Sequence, residues 1–503
     1  MSSVTSTLRS DPSASEQESS GQALNVLALS VFVVAAAAAF WFIHRYAVNV
    51  IINDQWTDID IIRRAHSGSL SFGALWAQHN ENRILFPNLV VLALAYTTHF
   101  NIIVEDYLSV LLLSVTTGLL VLAHKRRCPS MQWILYCPVV LAFLAFDVLA
   151  SALFGFLFSW FLVLLALAVA IFSLDRSELT WLGLSAGVVA AVVGSFSSLQ
   201  GLLIWPAGLV LLYLRRRSLA FGLVWVGSAV ITWTLYFLNF NFAASGGNNS
   251  YALDHPLAAI KFFFFAIGDV IGVRLQPAYR HSGAQTEVHA IGVLIFAIAV
   301  WAIVHGFRSG RPGASPVGVT LIVFGLLFVA SITLGRLQMG ESNASRYLPF
   351  QVTVWVGAYL ALFDRPVRWT REDRSIWALR LDRLLGIRSR PPGDEQEGSQ
   401  LAPLRRQQLV PLIARLILIC LMIVQIVSGP YIGLIDARGW HKREVKIAHV
   451  TLNINQASDA VVQTVLGSYS AHYIRQMAAF ARHERLSLFA SPTSGAEQPP
   501  ARH

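Results

Sequence analysis

NDQWTDIDIIRRAHSGSLSFGALWAQHNENR, residues 53–83, is a polar and charged stretch enclosed by segments apolar enough for a lipid bilayer. Its placement decides the fold, because the side of the membrane that holds it fixes the alternation of every later span. Asp54, Asp58 and Asp60 follow the first apolar run, and His79, Asn80, Glu81 and Arg83 precede the next. A chain this apolar has few places to keep acids, imidazoles and guanidinium groups together, so chemistry is expected here first.

The 503 residues are 55% hydrophobic and 13% charged, with a mean hydropathy of +0.56, which puts the chain among polytopic membrane proteins rather than soluble domains. A net charge of +10 would suggest nucleic acid in a soluble protein. Here the bases cluster in short loops between apolar runs, as membrane topology requires, and no nucleic-acid partner is implied. Cys137 and Cys420 lie within apolar runs and Cys128 sits beside a basic loop, so no extracellular disulfide framework is available. Residues 1–23 read as a disordered cytoplasmic tail, followed by an uncleaved anchor.

Apolar runs at 24–45, 104–123, 131–146, 153–173, 181–196, 201–214, 219–239, 290–307, 317–335, 347–363 and 409–428 compare with about 20 residues per crossing. Two more, 84–99 and 257–273, are short and flanked by polar sequence. If neither crosses, Lys125-Arg126-Arg127, Arg176, Arg215-Arg216-Arg217, Arg308, Arg311 and the 364–406 segment all fall inside. If both cross, the first three clusters move outside. Charge bias therefore favours an all-α polytopic fold of about eleven transmembrane helices, with two juxtamembrane helices lying along the outer face; thirteen ordinary spans are the alternative. The membrane domain is then 24–428, with external loops 46–103 and 240–289, a cytoplasmic loop 364–406, and an external C-terminal tail 429–503. Polar segments 46–103, 147–152, 240–289 and 336–346 share one face, where a site can assemble. The absence of an internal repeat counts against transporter folds built from inverted halves.

Asp54 stands at the external end of the first span, two residues before Trp56. A carboxylate at a partly desolvated boundary can have its pKa raised and accept a proton from a hydroxyl; alternatively Asp54 simply caps the helix that follows. Asp58 shares its face at the i,i+4 spacing while Asp60 points away, so Asp58 is the better second carboxylate, unless it pairs with Arg63 or Arg64. The HNENR string at 79–83 offers an imidazole, two amides, a carboxylate and a guanidinium for sugar hydroxyls or a phosphate, and a solvated loop with an Arg–Glu pair is the plainer alternative. It lacks zinc spacing. GRLQMGESNASRY, 335–347, brings Arg336, Glu341, Arg346 and Tyr347 to the same boundary, where a lipid phosphate is a natural partner and ordinary snorkelling the alternative. The Gly- and Asn-rich 240–250 segment allows a lid.

Together these features resemble the GT-C class of membrane glycosyltransferases, which includes the protein O-mannosyltransferases and the lipid A aminoarabinose transferase. Asp54 matches the acid in the long first external loop of that class, and 57–66 and 84–99 match its two juxtamembrane helices. HNENR, SLQGLLIWPAGL (198–209) and SNASRY (342–347) are similar to strings in bacterial membrane proteins of this kind. The chain departs from the pattern in having Asn53-Asp54 in place of an acidic pair, and only Asp147 in the second external loop, 146–156.

The resemblance implies an inverting transfer of a sugar from a polyprenyl-phosphate donor to an envelope glycan, lipid or protein acceptor, on the extracytoplasmic side of a bacterial inner membrane. Asp54 would be the base. Arg346, supported by Arg336 or Arg83, would hold the leaving phosphate, and His79, Asn80 and Glu81 would orient sugar or acceptor. No metal is required, although a divalent ion at Asp54 and Asp58 is conceivable. The competing class is a transporter or flippase for a lipid-linked or polar solute, and a third is a non-catalytic envelope scaffold.

Overall fold

The computed structural model describes residues 12–242, 249–271, 284–308, 315–339, 345–363, 402–467 and 469–490. Apart from turns and one hairpin of two two-residue strands the described part is helical, and eight of its helices are long and apolar enough to cross a membrane. Three further expected crossings are shorter apolar helices at 181–195, 199–214 and 348–362. All eleven expected runs are thus helical, and the chain is an all-α multi-pass membrane protein.

The principal helices are α1 (Pro12–Tyr46), α2 (Gln55–His66), α3 (Phe72–Trp76), α4 (Leu85–Thr98), α5 (Ile102–Arg127), α6 (Cys137–Phe143), α7 (Phe146–Leu149), α8 (Phe158–Leu174), α9 (Trp181–Ser195), α10 (Ile204–Leu214) and α11 (Leu219–Phe237). They continue with α12 (Asn249–Asp254), α13 (Pro256–Gly268), α14 (Ala284–Arg308), α15 (Pro316–Arg336), α16 (Leu348–Leu362), α17 (Ala402–Leu452), α18 (Asp459–Leu466) and α19 (Ala471–His483). Helix α1 already runs from Pro12, so residues 12–23 are not the disordered tail expected of their Ser-rich composition.

Side-chain contacts fix two faces. On one, the Asn49 carboxamide after α1 accepts from the Ile102 N–H that opens α5, at 3.0 Å. Phe158 at the start of α8 lies in one apolar cluster with Ile59 of α2. On the other, Arg126 at the end of α5 donates to the Phe172 carbonyl near the end of α8, and Arg215 after α10 pairs with Asp175 after α8 at 2.9 Å. The basic residues at 125–127, 176 and 215–217 therefore gather at one end of the bundle, opposite residues 53–83.

Helix α4 leaves and returns to the same face. Its first turn is tied to α9 by Phe86 N–H donating to the Phe196 carbonyl, and its exit is tied to Asn49 through Ile102. Fourteen residues span about 21 Å, short of a bilayer core. This is the juxtamembrane placement expected of 84–99. The 257–273 run forms the 13-residue α13, packed on α14 where Gly268 and Gly292 let the backbones meet. Residues 249–271 of the expected 240–289 loop are therefore mostly helical, while residues 243–248 of the expected 240–250 lid and residues 364–401 of the expected cytoplasmic loop lie outside the described residues.

The expected break at 429 is absent. Helix α17 continues through it to Leu452, because 429–452 keeps an apolar stripe against the bundle, with Ile432, Ala437 and Ile447 buried. Only after Leu452 does the chain turn back as α18 and α19. Their apolar faces (Val462, Leu466, Ile474, Met477, Ala478, Ala481) close over Trp56, Ile59 and Ile62 of α2. What reads as an appendix is a layer laid on residues 53–66.

Candidate active site

Helix α2 forms where Gln55, Trp56, Asp58, Ile59 and Ile62 fall on one buried stripe, sandwiched between α4 and α19. Asp54 precedes it at the cap position, but its side chain makes no capping hydrogen bond, so the plain capping role does not hold. Instead the carboxylate faces three other segments. Tyr469 Oη donates to its Oδ1 at 3.3 Å, and His79 Nε2 stands 3.7 Å from the same oxygen. Arg346 is near enough for its charge to act on it.

Burial pushes the Asp54 carboxyl up, but His79, then the Tyr469 hydroxyl, then the Arg346 charge together hold it below the usual carboxylate range. The raised pKa expected from the membrane boundary is therefore corrected: solvation lost on burial is replaced by donors and a cation. Asp54 is an ionised acceptor.

Behind it lies a row of buried acids. Asp58 is 2% exposed; burial, then the charges of Glu105 and Asp54, push its carboxyl well up. Glu105 and Asp106, in the first turns of α5, are buried, Glu105 Oε2 accepting from Gln55 Nε2 at 2.9 Å. Room for Glu105 comes from Gly155, where a Cβ would stand 2.5 Å from the carboxylate oxygen. Among the described residues neither oxygen of Asp106 has a hydrogen-bond partner. Asp58 does not pair with the neighbouring arginines, because Asp60, on the outer face, takes both Arg63 (2.5 Å) and Arg64 (2.7 Å). Among the described residues no three His, Cys, Asp or Glu side chains are grouped to hold a metal ion.

HNENR folds as a hairpin, Gln78–His79 pairing with Asn82–Arg83, with Asn80 in the left-handed region at φ 49°. Asn82 Oδ1 accepts from Ser198 Oγ and the Leu199 N–H, both at 2.9 Å, joining this string to SLQG. Glu81 pairs with Arg336 from the end of α15. Asn80 sits at the tip, its carbonyl accepting from Gln78.

Arg83 departs from the expected phosphate role. It is 3% exposed, and its guanidinium donates to the carbonyls of Tyr236 (2.5 Å), Trp76 (2.8 Å) and Leu238 (2.5 Å). Three acceptors fix it as a latch between the hairpin and the end of α11. Tyr347 is buried, its ring stacked on Trp160 at 5.9 Å and its hydroxyl accepting from Arg346 at 3.3 Å. Glu341 lies outside the described residues.

The structure thus gathers Asp54, Asp58, His79, Glu81, Arg336, Arg346 and Tyr347 on one face. Sequence reading missed Tyr469, Gln55, Glu105 and Asp106. Two adjacent acids opening an apolar run were a visible signal for the last pair; Tyr469 had none.

Neither a protein-family model nor a curated protein matches the chain. Among solved structures, ArnT from Cupriavidus metallidurans bound to undecaprenyl phosphate is similar at 14% sequence identity and a TM-score of 0.43, over 92% of this chain and 88% of that one.

Proposed function

We propose that this chain is a GT-C-type membrane glycosyltransferase that moves a sugar from a polyprenyl phosphate to an envelope glycan, lipid or protein acceptor, with inversion. Asp54 removes the proton from the acceptor hydroxyl as its oxygen attacks the anomeric carbon. The bond from that carbon to the phosphate oxygen breaks, and polyprenyl phosphate departs with the electron pair. Arg346 offsets the charge growing on the phosphate, with Arg336 joining it once released from Glu81. His79 and Asn80 orient the sugar or the acceptor.

One observation carries this reading: the Asp54 carboxylate, held below the usual carboxylate range by His79, Tyr469 and the Arg346 charge, stands at the end of the bundle opposite the basic clusters. A base and a phosphate holder close together are what the transfer needs. The positive-inside bias then supports an extracytoplasmic site in a bacterial inner membrane. Asp58, buried and held protonated, supports Asp54 from behind rather than acting as a second base.

The purified chain in liposomes, given radiolabelled polyprenyl-phosphate sugars and envelope extract, is expected to release polyprenyl phosphate and pass label covalently to acceptor or water. Label that crosses the vesicle still attached to its donor would instead identify a transporter.

A further inference from the structure

Helices α18 and α19 follow the last spanning helix, some 400 residues after Asp54 in sequence, yet the junction between them sits on the backbone that carries Asp54. The Leu466 carbonyl accepts from the Asn53 N–H and from Trp56 Nε1, both at 3.2 Å, so one oxygen brackets Asp54 from either side. Gly467 follows at φ 133°, a conformation open to glycine, and a Cβ there would come 3.1 Å from Asn53 Cα. Asn53 itself is held in the left-handed region at φ 47°. Two residues on, Tyr469 sends its hydroxyl to Asp54 Oδ1. Tyr473, one helical turn further, sends its own to the Trp56 carbonyl at 3.3 Å.

We infer that this C-terminal layer completes the active site, with Tyr469 a positioning residue that orients Asp54 and keeps it in its proton-accepting form. The inference rests on the glycosyltransferase reading for its catalytic meaning, but the contact itself does not depend on it. A layer serving stability alone would need the apolar face of α19 and the Tyr473 contact. It would not need a half-buried hydroxyl aimed at the one carboxylate oxygen that also faces His79. Burial and then the Asp54 charge push the Tyr469 phenol up, so it remains a donor across the working range.

The groups facing Asp54 are His79 from the hairpin, Arg346 ahead of α16, Asp58 one turn along α2, and Tyr469. Three of them favour the ionised carboxylate and Asp58 is held neutral. Losing the Tyr469 donor removes one stabiliser of the charge, so Asp54 must hold its proton to higher pH.

The matched pair is Tyr469→Phe and Tyr473→Phe in the full chain. Each keeps the ring and its packing and removes one hydroxyl, so each variant folds or fails for the same reason. Infrared difference titration of the detergent-solubilised protein reads the carboxyl directly, the Asp54 band being the one that Asp54→Asn removes. Tyr469→Phe is expected to raise its midpoint by about 0.5–1 pH unit, the worth of one hydrogen bond to a carboxylate, while Tyr473→Phe leaves it in place. An unmoved midpoint in Tyr469→Phe, or an equal shift in both variants, overturns the inference. Because this titration needs no turnover, failure of the donor assay would remove the glycosyltransferase reading and leave this result standing or falling by itself.

Discussion

Asp54 and Asp58 lie one helical turn apart and are pushed in opposite directions. Asp54 meets an imidazole, a hydroxyl and a guanidinium and stays charged; Asp58 meets apolar side chains and other carboxyls and keeps its proton. For Asp58 the sign is definite. A carboxyl whose folded pKa lies above its unfolded value of 3.8 stabilises the fold fully below that pH. The contribution fades as pH rises toward the folded value. Asp58→Asn carries no such dependence, so its melting temperature relative to the unmodified protein should rise from pH 5 to pH 8. A difference that stays flat across that range would show that Asp58 is not held protonated. Asp54 and Asp58 are legible from their i,i+4 spacing, but their opposite charge states are not, because those come from residues far away in the chain.

The HNENR hairpin divides its work between structure and substrate. Arg83 donates to three carbonyls from two segments. Arg83→Lys should therefore cost the fold about 2–3 kcal/mol, since an ammonium cannot reproduce the planar fork. Denaturant unfolding checks this, with donor KM unchanged among the folded molecules; a raised KM at full stability would return Arg83 to the phosphate. Glu81, by contrast, occupies Arg336. Glu81→Gln leaves that guanidinium uncompensated and should lower donor KM about two- to fivefold, the scale of a partly exposed ion pair. A higher KM would mean that Glu81 touches substrate itself. Elements were legible where period and length agree: every apolar run became a helix, and 84–99 was correctly held to one face by loop charge alone. Helix α19 shows a clear apolar stripe through Ile474, Met477, Ala478 and Ala481, yet nothing local names α2 as the surface that stripe covers.

Across the molecule, the lipid-facing bundle serves to bring distant polar segments to one boundary. Residues 53–58, 79–83, 198–199, 336, 346–347 and 466–473 come from six separate stretches and are linked by side-chain contacts at one end of the bundle. Such convergence is invisible to periodicity, because hydropathy reports which residues leave water and not which neighbours they find. Loop charge supplied the missing constraint by putting the polar segments on a common side. The most direct measurement is the initial rate of polyprenyl phosphate release from a labelled donor, with unmodified protein and Asp54→Asn reconstituted in the same lipids. A catalytic Asp54 requires the variant to insert and melt normally while kcat drops about 10²–10⁴-fold; release at the unmodified rate by Asp54→Asn would contradict it.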